Sequence, residues 1–460
     1  MSDTLMISVS GMRGIVGKDL TPELVARHAA ALGAWAKSNG KPLVVLGRDA
    51  RTSGAMFTRA ATAGLMSVGV DVIDVGIAPT PTVQLAVEHH HAGAGLILTA
   101  SHNPIEWNAL KFVGPDGIFL DGAAGETVRA LATKGPDRSG WEGVGSVRED
   151  HDAIARHLGQ VMALPMIDVA AIRSKKFVVA LDCVRGAGGG TIPQLLEQLG
   201  CSVHAINLET DGRFPRAPEP LPENLGDLCA LVKQSKAVVG FAVDPDVDRL
   251  ALVDETGTPI GEDYTLALAV RAMLEKGMGP KSWTPPASPV VVANLSTSLV
   301  VEDAARMSGA RFVRAPVGEA NVAGVIKREK AAIGGEGNGG VILPMLHIGR
   351  DAPVGVALIL QLLAESGHTL SGIVGTQPKY RIVKAKSPRG NDLAPVYTRL
   401  KERFAEATPD TRDGLRLAWP DRWVHVRPSG TEPIVRFIAE APSQAEAEAL
   451  VDACRELFQR

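Results

Sequence analysis

The sequence predicts an α/β protein of several domains, three with similar mixed α/β folds followed by a smaller C-terminal α+β domain. Short apolar runs typical of buried strands alternate with helical segments, and this pattern occurs three times before it changes near residue 375. The length of 460 residues exceeds what one hydrophobic core supports and predicts roughly three domains, with four possible. The boundaries that fit these patterns are 1–150, 151–258, 259–374 and 375–460.

Charge and composition exclude several classes of function. The formal net charge is -3 and no long run of lysine or arginine occurs, which argues against a nucleic-acid partner. No apolar stretch reaches about 18 residues and the N-terminus lacks the features of a signal peptide, so we expect no membrane partner and a cytoplasmic protein. Neither a zinc site nor a disulfide framework is indicated, because no Cys-x-x-Cys pair occurs among Cys183, Cys201, Cys229 and Cys454.

Arg13 is the first candidate site residue. It follows a strand pattern over residues 4–9 and lies between two glycines within residues 10–14, which are predicted to form a loop. Glycines let the backbone approach a ligand closely, and an arginine there can bind a phosphate through two hydrogen bonds. A plain turn with an exposed arginine explains the same residues equally well.

Residues 96–112 contain the second candidate, Ser101. An apolar strand run leads into small and polar residues, so Ser101 is predicted to lie on a loop at the carboxyl edge of a parallel sheet, where α/β proteins bind ligands. It is therefore a candidate nucleophile. The alternative is an ordinary turn, because Asn103-Pro104 is a turn dipeptide, and this stretch alone favours the turn.

The remaining patterns set the order of the elements. A helix is predicted to begin at Pro22, behind an N-cap threonine. Residues 121–150 lack clear apolar strands, which places a domain boundary near residue 150, and the proline-rich residues 211–224 are predicted to be irregular. Strands are predicted at 43–46, 70–75, 177–182, 202–206, 290–294 and 311–314. A helix is predicted over about 54–68, and another is predicted to start near residues 261–263.

Three aspartates give the clearest metal signal in the chain. Asp244, Asp246 and Asp248 alternate in a loop between two apolar strands, so three carboxylates can converge on one hard divalent cation. An EF-hand would use the same residues with Glu255, but its sixth position requires glycine and here holds Arg249. A solvated acidic turn conflicts with the apolar strands on both sides. Arg249 would supply positive charge to a neighbouring phosphate.

Residues 335–340 form a glycine-rich run with one carboxylate, Glu336, and one amide, Asn338. A carboxylate accepts hydrogen bonds and an amide both accepts and donates them, so this pair suits hydroxyl groups better than phosphate. A glycine-rich turn without a ligand is the alternative, because the motif alone is weak.

A run near the C-terminus has the opposite character. It offers the guanidinium of Arg427, the hydroxyls of Ser429 and Thr431 and a backbone exposed by Gly430, all of which are donors for a dianion. The Walker spacing with its lysine is absent, so a nucleotide P-loop is not implied. Together with a hydroxyl nucleophile, a divalent cation and a hydroxyl-binding pair, this run predicts phosphoryl transfer to or from a phosphorylated sugar.

Four motifs of this sequence resemble the α-D-phosphohexomutases. They are Thr-Ala-Ser-His-Asn-Pro at 99–104, Asp-Pro-Asp-Val-Asp-Arg at 244–249, Gly-Glu-Gly-Asn-Gly at 335–339 and Arg-Pro-Ser-Gly-Thr-Glu-Pro at 427–433. All four occur in the order of the family, one per predicted domain, so the resemblance spans essentially the whole chain. It implies four domains around a central cleft, three of similar α/β fold and a C-terminal one of α+β fold.

The resemblance also implies a role for each candidate residue. Ser101 would carry a phosphoryl group, supported by Arg13, with His102 and Lys111 nearby as candidates for proton transfer. Mg²⁺ would be held by that phosphate and by Asp244, Asp246 and Asp248. The substrate would be a phosphorylated hexose or hexosamine, with a hexose 1,6-bisphosphate as intermediate and activator. The residues that would bind this substrate are Arg249, Glu336, Asn338, Arg427, Ser429, Gly430 and Thr431.

Two features bear on the identity of the sugar. Many bacterial relatives carry Gly-Glu-x-Ser-Gly-His in the third motif, where this chain has Asn338 and Gly340, so their sugar preference does not transfer. Residues 10–14 and 107–111 look most like the phosphoglucosamine mutase branch, which implies conversion of glucosamine 6-phosphate to glucosamine 1-phosphate. Closely similar loops occur in phosphomannomutases and phosphoglucomutases, which remain the alternative.

Two other functions fit the same residues. A serine-based sugar phosphatase would use the same nucleophile and metal but let water attack, and a non-catalytic sensor would only bind the sugar phosphate. Residues 89–91, three consecutive histidines, are expected to be an exposed helix end rather than a metal site.

Overall fold

The computed structural model describes residues 5–8, 11–275, 277–390, 392–429 and 434–459. Its strands are β1 (Met6–Ser8), β2 (Gly11–Ile15), β3 (Leu43–Arg48), β4 (Asp71–Ile77), β5 (Ala94–Leu98), β6 (Trp107–Val113), β7 (Val147–Glu149), β8 (Val178–Asp182), β9 (Ser202–Ile206), β10 (Val239–Val243), β11 (Leu250–Asp254), β12 (Val290–Asn294), β13 (Arg311–Ala315), β14 (Ile333–Glu336), β15 (Gly340–Ile342), β16 (Arg381–Pro388), β17 (Thr408–Asp410), β18 (Leu415–Ala418), β19 (Trp423–Pro428) and β20 (Ile434–Ala441). Its helices are α1 (Pro22–Ser38), α2 (Gly54–Met66), α3 (Thr80–His89), α4 (Gly122–Lys134), α5 (Ala153–Met162), α6 (Val169–Lys175), α7 (Ile192–Gln198), α8 (Gly226–Ser235), α9 (Glu262–Leu274), α10 (Leu299–Met307), α11 (Glu319–Glu329), α12 (Ala352–Ser366), α13 (Leu370–Gly375), α14 (Ala394–Arg403) and α15 (Gln444–Gln459).

The described strands form four sheets, which define four units in chain order. The first three sheets mix parallel and antiparallel pairs, with strand orders β1-β2-β6-β5-β3-β4-β7, β11-β10-β8-β9 and β13-β12-β14-β15. The fourth sheet, of order β16-β20-β19-β18-β17, is antiparallel throughout. Apolar residues of the helices pack on the sheets, as α1, α2 and α4 do on one face of the first sheet and α3 on the other. Three mixed α/β units and a C-terminal α+β unit confirm the predicted fold class.

The first three units share one strand order. When β3–β6, β8–β11 and β12–β15 are each counted as strands one to four, the order across each sheet is four, three, one, two. Strands one, two and three are parallel, and strand four returns antiparallel to strand three. The loop between strands three and four is too short for a parallel crossover, so the pair must be antiparallel. The repeated sequence pattern therefore corresponds to a repeated topology.

The second and third units share one hydrophobic core. Helix α12 is at its centre, and its apolar residues are buried on every side of the helix. It packs against α9 as well as α5 and α6. This shared core holds the loops of the two units in a fixed relation. Helix α12 is buried in protein, and no helix in the described residues is both long and apolar enough to cross a membrane.

The local structure differs from the sequence prediction in three places. Gly11–Ile15 is a strand rather than a loop, because its backbone pairs with Trp107–Val113, a strand that the pattern did not predict. Helix Gly122–Lys134 lies in a segment for which no regular element was predicted. The helix predicted over about 54–68 ends at Met66. The predicted start of α1 is confirmed, because the Thr21 hydroxyl accepts a hydrogen bond from the first turn.

Candidate active site

The three hairpin loops of the α/β units carry the predicted motifs. The serine loop (99–106) joins β5 to β6, the metal loop (244–249) joins β10 to β11, and the sugar loop (336–340) connects β14 with β15. Each loop follows strand three of its unit, so all three occupy the same place in the repeated topology. Ser101 Oγ donates to Asp244 Oδ2 at 3.0 Å, and Leu250 N donates to Gly339 O at 3.0 Å. The fold therefore brings these three motifs into one site.

A buried arginine holds the serine loop in shape. The two terminal nitrogens of Arg51 donate, over distances of 2.6 to 2.9 Å, to the main-chain carbonyls of Ser101, Asn103, Pro104 and Trp107. Its Nε donates at 3.1 Å to Asp49 Oδ2, which also accepts the hydroxyl of Thr99 at 2.7 Å. Arg51 is only 1% exposed, so water does not compete for these carbonyls. Buried hydrogen bonds from Arg51 thus hold the loop in its shape.

Ser101 itself has an unusual backbone. Its φ is +49°, in the left-handed region that residues other than glycine rarely occupy. Its amide donates to Thr99 Oγ1 at 2.9 Å, which helps to hold this conformation. Such a conformation costs on the order of 1–3 kcal/mol and persists where surrounding contacts enforce it, as they do at many functional sites. The buried Oγ of Ser101 is thereby aimed at the metal loop.

The three aspartates of the metal loop form a site suited to a divalent cation. Asp244, Asp246 and Asp248 are buried, and one carboxylate oxygen from each lies within 4.8 Å of the others. Burial, together with the charges of the other two carboxylates, raises the pKa of Asp244 well above its ordinary value. Asp246 Oδ1 and Asp248 Oδ1 accept no hydrogen bond from any residue that the structure describes. Buried oxygens need a partner, and three carboxylate ligands fit Mg²⁺.

Residues of the first unit orient Asp246 across the boundary between units. Thr80 donates to Asp246 Oδ2 through its hydroxyl at 2.8 Å, and Lys111 Nζ donates to the same oxygen at 2.7 Å. Burial acts to raise the pKa of Asp246, but the charge and hydrogen bond of Lys111, together with hydrogen bonds to Asp244 and Thr80, outweigh burial and lower that pKa. Burial likewise acts to lower the pKa of Lys111, but the charges of Asp246 and Asp248 outweigh burial, so the pKa of Lys111 is raised. This pair is therefore held in its charged form.

The backbone of the metal loop is tightly folded around Asp244. The amides of Asp248 and Arg249 both donate to Asp244 Oδ1 at 3.2 Å. Val247 has a φ of +61°, which is strained for a β-branched residue. Its side chain is fully buried, and its carbonyl accepts a hydrogen bond from Ala352 N at the start of α12. Side-chain burial and these hydrogen bonds hold the three carboxylates on one side of the loop.

Two arginines place positive charge near His102, the neighbour of Ser101 in the serine loop. His102 Nδ1 lies 3.4 Å from Ser101 Oγ. The charge of Arg249, burial and the charge of Arg13 lower the pKa of His102 to about 2, so its imidazole is neutral near pH 7. Arg13 donates from β2 to Asn103 Oδ1 of the serine loop at 2.8 Å. The two arginines place positive charge where a phosphoryl group on Ser101 would be negative.

Glu336 of the sugar loop is buried and bonded on both oxygens. Its Oε1 accepts from Asn294 Nδ2 at 2.9 Å and from Gly318 N at 3.1 Å, and its Oε2 accepts from Arg350 Nη1 at 3.1 Å. Asn338 is partly exposed, and its Oδ1 accepts from Gly340 N at 3.2 Å. Asn338 therefore keeps its amide group at the accessible side of the loop, whereas Glu336 is oriented by protein donors.

The fourth unit brings Arg427 beside the third unit. Arg427 Nε donates to Asp413 Oδ2 at 2.9 Å, and Val317 N of the third unit donates to the same oxygen at 3.1 Å. Arg436 on β20 is the cross-strand partner of Arg427, so the two side chains project from the same face. Like charges placed opposite each other repel, and an anion bound between them relieves the repulsion. This arrangement favours a phosphate group at the fourth unit.

The rest of the predicted phosphate-binding run is only partly described. Ser429 is buried, and its amide donates to Ile434 O at 2.9 Å. Gly430 and Thr431, which the sequence analysis assigns to the same run, lie outside the described residues.

Several residues that shape the site were missed by the sequence analysis. Arg51, Thr80 and Arg350 contact the motifs from positions far away in the chain. Only Arg51 had a local signal, because it lies in a polar loop directly after the strand β3. The three histidines at 89–91 lie at the end of α3, where His89 and His91 are exposed, as expected, and His90 pairs with Asp150 at 2.7 Å.

Comparison with known proteins agrees with this architecture. Family models described as the phosphoglucomutase/phosphomannomutase α/β/α domains I, II and III match residues 5–139, 155–257 and 261–380, and the model of the C-terminal domain matches residues 394–457. A phosphoglucomutase/phosphomannomutase of Thermococcus kodakarensis is 39% identical over 95% of this chain and 94% of that protein. A probable phosphoglucosamine mutase of Methanopyrus kandleri is 36% identical over 98% and 97%.

A solved structure leads to the same family. The phosphoglucomutase/phosphomannomutase family protein of Burkholderia thailandensis superposes with a TM-score of 0.84 at 25% identity, over 99% of this chain and 98% of that one. The four matched domains cover most of the chain in family order. The chain therefore belongs to the phosphoglucomutase/phosphomannomutase family, the α-D-phosphohexomutases, whose members are phosphosugar mutases.

Proposed function

We propose that this protein interconverts the 6-phosphate and the 1-phosphate of a hexosamine or hexose through phosphorylated Ser101 and a hexose 1,6-bisphosphate, with glucosamine phosphate as the preferred substrate. One observation carries the proposal. The buried hydroxyl of Ser101 lies 3.0 Å from Asp244 in a cluster of three buried carboxylates, with arginines close by. A serine nucleophile, a cation site and positive charge are the groups that phosphoryl transfer requires.

The reaction consists of two transfers in opposite directions. In the first, the bond between Ser101 Oγ and phosphorus breaks, and phosphorus bonds to the free hydroxyl oxygen of the sugar monophosphate. The proton of that hydroxyl leaves, Ser101 Oγ gains a proton, and the sugar becomes a bisphosphate. The bisphosphate then turns in the cleft. In the second transfer its other phosphoryl group moves to Ser101 Oγ and the protons return, so no phosphate is released overall.

Asp244, Asp246 and Asp248 would hold Mg²⁺ together with the phosphate on Ser101. When bound, Mg²⁺ neutralises negative charge on the transferring phosphoryl group. The two carboxylate oxygens without a described hydrogen-bond partner, on Asp246 and Asp248, support this assignment. Chelation is expected to abolish activity and added Mg²⁺ to restore it, whereas full activity in excess chelator would contradict the assignment.

His102 and Lys111 are the candidates for moving the proton. His102 Nδ1 lies 3.4 Å from Ser101 Oγ, so geometry favours His102. Its lowered pKa, about 2, makes the imidazole a weak base, and negative charge on a phosphorylated Ser101 would raise that pKa. Lys111 is held as a cation by Asp246, so it is better suited to stabilising charge than to accepting a proton. Arg13 and Arg249 would add positive charge that stabilises the phosphoryl group.

The sugar and its second phosphate would be bound by the third and fourth units. Glu336 and Asn338 would contact sugar hydroxyls. The non-reacting phosphate would be bound by Arg427, Ser429, Gly430 and Thr431. Arg427 and Arg436 project from the same face of the fourth sheet, which supports an anion there. These residues offer mainly cationic and hydroxyl donors, which can bind a phosphate from either end of the sugar. The bisphosphate requires this because it turns between the two transfers.

Two relatives bear on the choice of sugar. The relative from Methanopyrus kandleri is named a probable phosphoglucosamine mutase, which supports glucosamine phosphate as the preferred substrate. The relative from Thermococcus kodakarensis is named a phosphoglucomutase/phosphomannomutase, and its higher identity keeps glucose and mannose phosphates as the alternative.

The test is a comparison of kcat/KM for the 1-phosphates of glucosamine, glucose and mannose, with the matching 1,6-bisphosphate as activator. The proposal expects the highest value for glucosamine 1-phosphate. A higher value for glucose or mannose would reassign the sugar. Release of inorganic phosphate at the rate of substrate loss would indicate a phosphatase, and binding without any turnover would indicate a sensor.

A further inference from the structure

We infer that Arg350 is a positioning residue that holds the metal loop and the sugar loop in a fixed relation to each other. The inference rests on the proposed function, which assigns the cation to one loop and the sugar to the other. The guanidinium is nearly buried and donates to three carboxylates. Nη2 donates to Asp248 Oδ2 at 2.6 Å, Nη1 to Glu336 Oε2 at 3.1 Å and Nε to Glu319 Oε2 at 3.1 Å.

The two loops joined by this guanidinium come from different units. Asp248 belongs to the second unit and Glu336 to the third. A guanidinium is planar and rigid, so one group bonded to both carboxylates fixes the angle between them. Arg350 is itself anchored, because its main-chain amide donates to Glu319 Oε1 at 3.2 Å. A lysine would keep the positive charge, but its single ammonium group cannot donate to the separate carboxylates in the geometry that the planar guanidinium provides.

Gly340 leaves the space that Arg350 occupies. A β-carbon built at residue 340 would lie 2.3 Å from Arg350 Cδ and 2.9 Å from its Cγ, which is closer than real contacts allow. The backbone of Gly340 does not have a left-handed φ, so its constraint is steric. Any side chain at residue 340 must displace Arg350. The position of Arg350 therefore depends on a glycine at residue 340.

This coupling bears on catalysis because phosphoryl transfer depends on alignment. The hydroxyl that attacks is held by the sugar site, and the phosphoryl group is held near the cation site. A displacement of about 1 Å between them can cost about a hundredfold in rate. Arg350 acts through Asp248 and Glu336 and touches neither the substrate nor the reacting atoms in this account.

The experiment compares wild type with Arg350→Lys, Gly340→Ala, the double variant and a matched control. Gly324→Ala is the control, because nothing lies within 4 Å of a β-carbon built at Gly324 on α11. Two dissociation constants are measured besides activity. Mg²⁺ binding is followed by the rise in Tm during a titration, and glucosamine 6-phosphate binding by calorimetry. Steady-state kcat and KM are measured alongside.

Arg350→Lys is expected to weaken binding of both Mg²⁺ and glucosamine 6-phosphate, each by about tenfold, with a larger loss of kcat. Gly340→Ala should produce the same pattern. The double variant should show no larger loss of binding or of kcat than the more damaging of the two single variants, because both changes remove the same contact. The control should match wild type in every measurement.

Three results would overturn the inference. In the first, Arg350→Lys leaves both dissociation constants and kcat within twofold of wild type. In the second, it changes one dissociation constant alone. In the third, its effects multiply with those of Gly340→Ala in the double variant. A wild type without mutase turnover on any of the three sugars would instead overturn the proposed function. In that case the two binding constants would still decide the role of Arg350.

Discussion

The serine loop and the phosphate-binding run of the fourth unit differ in how the protein holds them. Arg51 is 1% exposed and binds three carbonyls of the serine loop and that of Trp107 at the start of β6, while the side chain of Arg427 is 15% exposed and donates through Nε to Asp413. The groups proposed to transfer phosphoryl are thus fixed by buried contacts. The groups proposed to recognise the second phosphate stay partly accessible. Variants in the first region should therefore lower kcat, and variants in the second should raise KM.

Of the variants that test this difference between the two regions, Arg51→Lys is expected to have the largest effect. A lysine cannot reach the four carbonyls that Arg51 binds, so the serine loop loses its shape while the buried positive charge opposite Asp49 is kept. We expect kcat to fall by about a hundredfold with little change in KM, measured by steady-state kinetics. Arg59→Lys, at an exposed position on α2, is the control. A raised KM with unchanged kcat would mean that the serine loop contributes to binding instead.

A smaller effect is expected from Arg427→Ala. Removal of one guanidinium takes away charge-assisted hydrogen bonds of about 1.5–3 kcal/mol from the proposed phosphate site. KM for the sugar phosphate should rise roughly tenfold or more while kcat changes less. Arg403→Ala on α14 serves as the exposed control. If kcat fell as much as in Arg51→Lys, the proposed division between the two regions would be wrong.

The smallest effect is expected at Asp263, which packs against the sugar loop. Asp263 accepts from Ser298 N at 2.9 Å and lies against Gly337, whose built β-carbon would be 2.1 Å from its Oδ1. Burial, opposed by that hydrogen bond and assisted by the charge of Glu440, raises the pKa of Asp263 to about 8. Between about pH 4 and about pH 8 the folded protein holds a proton that the unfolded chain has already released, so the free energy of unfolding falls as pH rises through that window.

Asp263→Asn removes this titration and keeps an oxygen for Ser298 N. As pH rises from about 5 to about 8, the Tm of wild type should fall, and the Tm of Asp263→Asn should fall by roughly 2 °C less. Asp421→Asn, at an exposed position, should reproduce the wild-type profile. Parallel profiles for wild type and Asp263→Asn would show that Asp263 is already ionised throughout this range.

Short-range patterns explain why much of the fold could be predicted. The strands that lead to Ser101 and to Asp244 are buried on both faces and read as short apolar runs. Strand Trp107–Val113 was missed because its residues alternate poorly and its pairing with Gly11–Ile15 is a contact between distant segments. The same distance hid the hydrogen bonds of Arg51, Thr80 and Arg350, which join residues between 14 and 166 positions apart.

The central claim is that phosphorylated Ser101 is the carrier of the phosphoryl group. The direct measurement is mass spectrometry of the peptide that contains Ser101, after incubation with glucosamine 1,6-bisphosphate and Mg²⁺ and again after addition of excess glucosamine 1-phosphate. The account predicts that Ser101 gains one phosphoryl group in the first step and loses it in the second, and that Ser101→Ala shows neither change and no mutase activity. Mutase turnover by Ser101→Ala at the wild-type rate would contradict it.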